Sequence, residues 1–103
     1  MNSQLIQWDV YEIYTKSTPV TDAMFRGRIR KLCLEKSVNV LVENSEDIEN
    51  RVRFAVTSVP DYEIVSSYIK KIAPDAEIEL KLKNIANPVI SKLKVNIESR
   101  YTL

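Results

Sequence analysis

The sequence predicts an α+β domain in which two helices cover one face of an antiparallel sheet, with a short extra strand at the C-terminal end. Three observations predict it. Segments of apolar residues alternate with polar ones at the period of two that a half-buried strand requires. Two other segments carry their apolar residues at helical spacing. The two kinds follow one another as strand, helix, strand, strand, helix, strand.

The first strand lies within Leu5–Tyr14, which is rich in β-branched and aromatic residues. Ile6, Trp8 and Val10 alternate there with Gln7 and Asp9. Thr15 to Asp22 is polar and contains Pro19, so a loop is expected. Asp22 or Thr21 is placed to cap a helix beginning near Ala23. Phe25, Ile29, Leu32 and Cys33 recur at i, i+4, i+7 and i+8 and form its buried face. Arg26, Arg28, Arg30 and Lys31 fall mostly off that face, as a solvated surface. Gly27 lowers the helix propensity by about 1 kcal/mol without breaking the pattern. The helix is expected to end near Ser37.

Val38, Val40 and Val42 give a second strand that ends near Asn44. Asn44 to Asn50 is acidic and rich in turn formers, and Arg51 to Thr57 alternates again. Val52, Phe54 and Val56 are expected inward and Arg51 and Arg53 outward, the two strands forming a hairpin. Ser58-Val59-Pro60-Asp61 is a helix start, with proline in the first turn and an acid to match the helix dipole. Val65, Tyr68, Ile69 and Ile72 form the second buried stripe, and Pro74 ends it. Ile78, Leu80 and Leu82 alternate with Glu77, Glu79 and Lys81 as a fourth strand. Asn84 to Pro88 is expected to interrupt it, and Leu93, Val95 and Ile97 mark a short fifth strand. This is the split βαβ, ferredoxin-like βαββαβ order, an architecture that serves enzymes, RNA binders and regulatory modules alike.

A chain of 103 residues, 45% of them apolar, is expected to be one domain, residues 1–103, with a real core. Lysine and arginine total 15 against 14 acidic residues, so the basic excess that favours non-specific nucleic-acid binding is absent. Trp8, Tyr11, Phe54 and Tyr68 read as packing residues rather than base-stacking platforms, because each sits in an alternating or helical pattern. No apolar run is long enough to span a bilayer, so no membrane partner is expected. The first residues lack the charged and apolar regions of a secretory signal. Cys33 reads as a small buried thiol in a reducing compartment, and the expected location is the cytoplasm.

There is no histidine and only one cysteine. Histidine-activated nucleophiles and histidine or cysteine-cluster metal sites are therefore excluded. Any chemistry must use arginine, lysine, carboxylates, amides, hydroxyls or the backbone. No cofactor and no metal is expected.

Phe25-Arg26 at the head of the first helix and Val40-Leu41-Val42-Glu43-Asn44 at the second strand resemble the acylphosphatase family. The family has a glycine-rich loop running into phenylalanine-arginine, and a second strand ending in asparagine. Leu41 stands where the family has tryptophan and Val40 where it has glycine. Arg26 and Asn44 are 18 positions apart, as in the family. Tyr11-Glu12-Ile13-Tyr14 is similar to the family's first strand, and Cys33 falls where the family has a small helix residue. The resemblance spans residues 8–83. It implies hydrolysis of a carboxyl–phosphate mixed anhydride, with a small acyl phosphate or phosphate as ligand. Arg26 and Asn44 would be the catalytic pair, Arg26 binding the phosphate through a charge-assisted fork and Asn44 holding the attacking water. The loop before the helix would cradle the phosphate with backbone amides.

That loop departs from the family's pattern. It contains no glycine, is longer, and includes Pro19, which donates no N–H. Lys16, Ser17, Thr18, Thr21, Ala23 and Met24 are its candidate phosphate-binding positions, and Asp22 would repel a phosphate. The alternative reading is a non-catalytic ferredoxin-like binding module with a degenerate site. A protein partner, the natural substrate and the oligomeric state are not encoded in any motif.

Overall fold

The computed structural model describes residues 6–16, 24–86, 88–90 and 94–95. Four strands form one antiparallel sheet: β1 (Gln7–Tyr14), β2 (Val40–Asn44), β3 (Val52–Val56) and β4 (Glu77–Ala86). Their order across the sheet is β2-β3-β1-β4. Helix α1 (Phe25–Lys36) joins β1 to β2, and α2 (Val59–Ile72) joins β3 to β4. The result is an α+β architecture compatible with the ferredoxin-like fold. Among the described residues no helix is long and apolar enough to cross a membrane.

The alternation places one set of residues under the helices. Tyr11, Ile13, Val42, Val52, Phe54 and Val56 meet Phe25, Ile29 and Cys33 of α1 and Val65 and Ile69 of α2. The aromatic rings stack within this core, Tyr11 on Phe54 at 5.3 Å and on Tyr62 at 4.4 Å between centroids. Such pairs contribute about 0.5–1.5 kcal/mol each beyond area burial. Leu32 and Tyr68, expected in the buried stripes, are only half-buried and border a groove on the outer side of the two helices.

Helix ends follow local chemistry, with one difference. The Ser58 hydroxyl accepts from the Asp61 N–H at 3.3 Å, and Pro60 stands in the first turn of α2 as the sequence predicts. The Ala73 N–H closes the helix on the Ile69 carbonyl at 2.8 Å, just before Pro74. At α1 the N-cap is Met24, in the left-handed region at φ 59°, with no side-chain cap. Thr21 and Asp22, the caps expected from the sequence, lie outside the described residues. The C-terminal turn is closed by Ser37 at φ 57° and by the Val38 N–H on the Cys33 carbonyl at 2.9 Å, a Schellman arrangement.

The opposite sheet face corrects three expectations. Arg53 was expected outward and is fully buried. Its side chain does leave the helix-covered core, but the other face is covered too. Val10 and Ala55 pack there against Ile90, with Trp8, Leu41 and Leu82 around them. The strand β4 runs on through Asn84 to Ala86, where an interruption was expected. Asn84 takes φ 56°, a conformation asparagine tolerates, and its N–H donates to Asp9 Oδ1 at 3.0 Å. The alternation of β4 also breaks. Tyr11 pairs with Leu80 and Val10 with Leu82, so Lys81 is an extra residue and Leu82 moves to the second face. Leu80 is left 46% exposed.

The chain then forms β5 (Pro88–Val89), paired antiparallel with β6 (Lys94–Val95) as a separate two-stranded ribbon. Lys94–Val95 is the described part of the expected fifth strand, and Leu93 and Ile97 lie outside the described residues.

Candidate functional site

Two groups of charged side chains stand out, one exposed at the edge strand β2 beside α1 and one buried between the central strands. The first contains the predicted pair. Arg26 occupies the first turn of α1, and Asn44 is the last residue of β2. Both are exposed. The turn that carries Arg26 contains no acidic residue and its cap makes no side-chain hydrogen bond, so neither offsets the positive end of the helix dipole.

Glu43 links helix and strand. Arg26 Nη1 lies 3.3 Å from Glu43 Oε1, and Arg30 Nη2 lies 3.3 Å from Glu43 Oε2. Arg30 Nη2 also donates to the Val42 carbonyl at 3.3 Å. All three charged side chains are about half exposed, between 45% and 50%. The structure therefore brings Arg26 next to the residue that precedes Asn44. Among the described residues the Asn44 side chain itself makes no hydrogen bond.

Of the predicted loop positions, Lys16 is exposed after β1, and Met24 is the exposed left-handed cap of α1. Ser17, Thr18, Thr21 and Ala23 lie outside the described residues. Sequence reasoning assigned Arg30 to a solvated helix face and gave Glu43 no role. The signal was present: arginines at i and i+4 project from one side of a helix and can converge on one carboxylate.

The second group is buried. Glu12 and Arg53 sit directly opposite each other on β1 and β3. Arg53 Nε and Nη2 lie 2.9 Å and 2.8 Å from Glu12 Oε2. Arg53 Nη1 donates to Asp47 Oδ1 at 2.7 Å and to the Ile90 carbonyl at 3.1 Å. Glu12 Oε1 also faces Arg51 Nε at 3.5 Å and Lys81 Nζ at 3.7 Å. Hydrogen bonds from Arg53 and Ser45 hold the Asp47 carboxyl below the usual carboxylate range. Glu79 hydrogen-bonds Lys81 at 2.9 Å and pushes its ammonium pKa up. Each charge in this cluster has a partner of opposite sign, so the group is a structural network rather than a reactive centre.

Cys33 is buried on the inner face of α1, and that burial raises its thiol pKa, with Asp61 adding to the effect. It is the inert thiol the sequence suggests. Among the described residues no cluster of three or more histidine, cysteine, aspartate or glutamate side chains is placed to hold a metal ion. Comparison of the chain with models of known protein families, with curated proteins and with solved structures finds no match.

Proposed function

We propose that this chain is an acylphosphatase-like domain of the ferredoxin-like βαββαβ class, which takes a small acyl phosphate between the loop before α1, Arg26 and Asn44. The observation that carries the reading is the approach of Arg26, on the first turn of α1, to the end of β2, fixed by its 3.3 Å contact with Glu43 beside Asn44. The sheet order β2-β3-β1-β4, with one strand lying between the two strands that each helix connects, supports the fold part.

The chemistry follows from the substrate. Water attacks phosphorus, the bond from phosphorus to the acyl oxygen breaks, and carboxylate leaves with the electron pair. Carboxylate is a good leaving group, so positioning and charge stabilisation suffice. Arg26 binds the non-bridging oxygens and meets the charge that develops on them. The Asn44 amide accepts from the water and orients it, and the water's proton passes to phosphate or solvent. The positive end of α1 adds its field.

A second reading is favoured by one observation: Glu43 already occupies the guanidinium of Arg26. Together with a glycine-free loop, this supports a non-catalytic module. Hydrolysis of an aromatic acyl phosphate by the wild type, Arg26→Ala and Asn44→Ala tests the first reading. Loss of about two orders of magnitude in each variant is expected, the scale of removing one charge-stabilising group. Equal rates in all three proteins would remove the site. Inorganic phosphate that leaves the amide resonances of Lys16 to Arg26 unmoved would favour the module.

A further inference from the structure

Resting on that site, we infer that Arg30 is a second anion-binding residue and that Glu43 is an internal competitor, occupying a two-arginine clamp built for a phosphoryl group. Arg26 and Arg30 stand one helical turn apart on α1 and reach the same side chain from the same side. Each guanidinium takes a different oxygen of the Glu43 carboxylate. The carboxylate thus displays where an anion sits.

The fit is loose. Both contacts are 3.3 Å, whereas a strong charge-assisted hydrogen bond closes to about 2.7–2.9 Å. One carboxylate carries a single charge and must serve two cations. A phosphoryl group offers three oxygens and about two negative charges, enough to give each guanidinium its own acceptor. Arg30 is held in place for this by the Val42 carbonyl in the middle of β2, a contact that does not involve the Glu43 carboxylate. The half-exposed pairs contribute little to stability, so an incoming anion displaces Glu43 at small cost.

Glu43 therefore sets a threshold. A weak singly charged anion does not displace it, and a phosphoryl group does. Removing the carboxylate empties the clamp without touching either arginine.

The experiment titrates inorganic phosphate into the full chain at constant ionic strength, following backbone amide shifts of α1 and β2. Glu43→Gln is expected to bind roughly three- to tenfold more tightly than the wild type, the fold-change that two exposed ion pairs allow. Adding Arg30→Gln to Glu43→Gln is expected to abolish that gain. Glu63→Gln, on the exposed side of α2, changes net charge equally and is expected to leave the affinity unchanged. The inference is overturned if Glu43→Gln binds no more tightly, if the double variant keeps the gain, or if Glu63→Gln matches it. Acyl phosphate hydrolysis is measured on the same proteins. Absent hydrolysis with the expected phosphate pattern removes the catalytic reading and supports the clamp. Hydrolysis without that pattern removes the clamp alone.

Discussion

Replacing Glu12 by glutamine strikes the most buried ion pair among the described residues. The substitution keeps shape and removes one charge. Arg53, at 0% exposure, then loses the negative charge that its Nε and Nη2 contacts at 2.9 and 2.8 Å are made to. It keeps Asp47 and the Ile90 carbonyl on Nη1. Breaking a buried pair from one side destabilises by about 3–5 kcal/mol, and the retained Asp47 contact places this case near 3. For a domain of this size that loss lowers Tm by roughly 12–20 °C. Urea denaturation is the assay, with the midpoint falling and the slope unchanged. The loss should be as large in 0.5 M salt as in dilute buffer, because screening acts weakly on buried charge. Replacing both partners, as Glu12→Leu with Arg53→Met, should recover most of it, since no charge is then stranded. A Glu12→Gln protein within 1 kcal/mol of the wild type would refute the argument, and so would a loss that vanishes in salt.

Other outcomes follow from single residues. Ser37 closes α1 at φ 57°, so Ser37→Gly should stabilise the fold by about 0.5–1 kcal/mol in the same urea assay. Asp47 titrates below its ordinary value in the folded protein, so its contribution is present above the unfolded carboxylate pKa and lost as pH falls through the folded one. The stability gap between wild type and Asp47→Asn should thus persist at neutral pH and close below about pH 4. A gap that widens on acidification contradicts this sign. The Cys33 thiol, buried and raised in pKa, should react with an aromatic disulfide reagent at pH 8 far more slowly in the native protein than in urea. Equal labelling rates would show that the inner face of α1 is not packed into the core.

The helix-covered core was legible in the sequence. Phe25, Ile29 and Cys33 repeat at helical spacing, and Val52, Phe54 and Val56 repeat every second residue, so both faces are marked locally. Ser58 and Pro60 announced the start of α2 in the same way. The second face was not legible, because what covers it is far along the chain. An arginine alternating with valines reads as solvent-facing, and only the arrival of Ile90 and the facing Glu12 makes Arg53 a buried residue. The β4 bulge was equally hidden, since an extra residue is defined by the register of its partner. At the candidate site, Arg26 and Asn44 were singled out only by their resemblance to a family motif, whereas Glu43 became visible only once β2 lay beside α1.

The cross-strand position of Glu12 and Arg53 has a consequence for how the sheet assembles. Valine-rich strands can slide past each other by two residues and still bury apolar side chains on the correct faces. The hydrophobic pattern alone does not separate those alignments. Sliding β1 along β3 by two would set Glu12 against Ala55, or against Arg51 at the strand's margin, away from the reach of Asp47 and Ile90. Only the native alignment lets one guanidinium meet Glu12, Asp47 and the Ile90 carbonyl together. The buried ion pair thus works as a tooth in a ratchet, selecting one alignment of the two central strands from several that oil-like packing would accept.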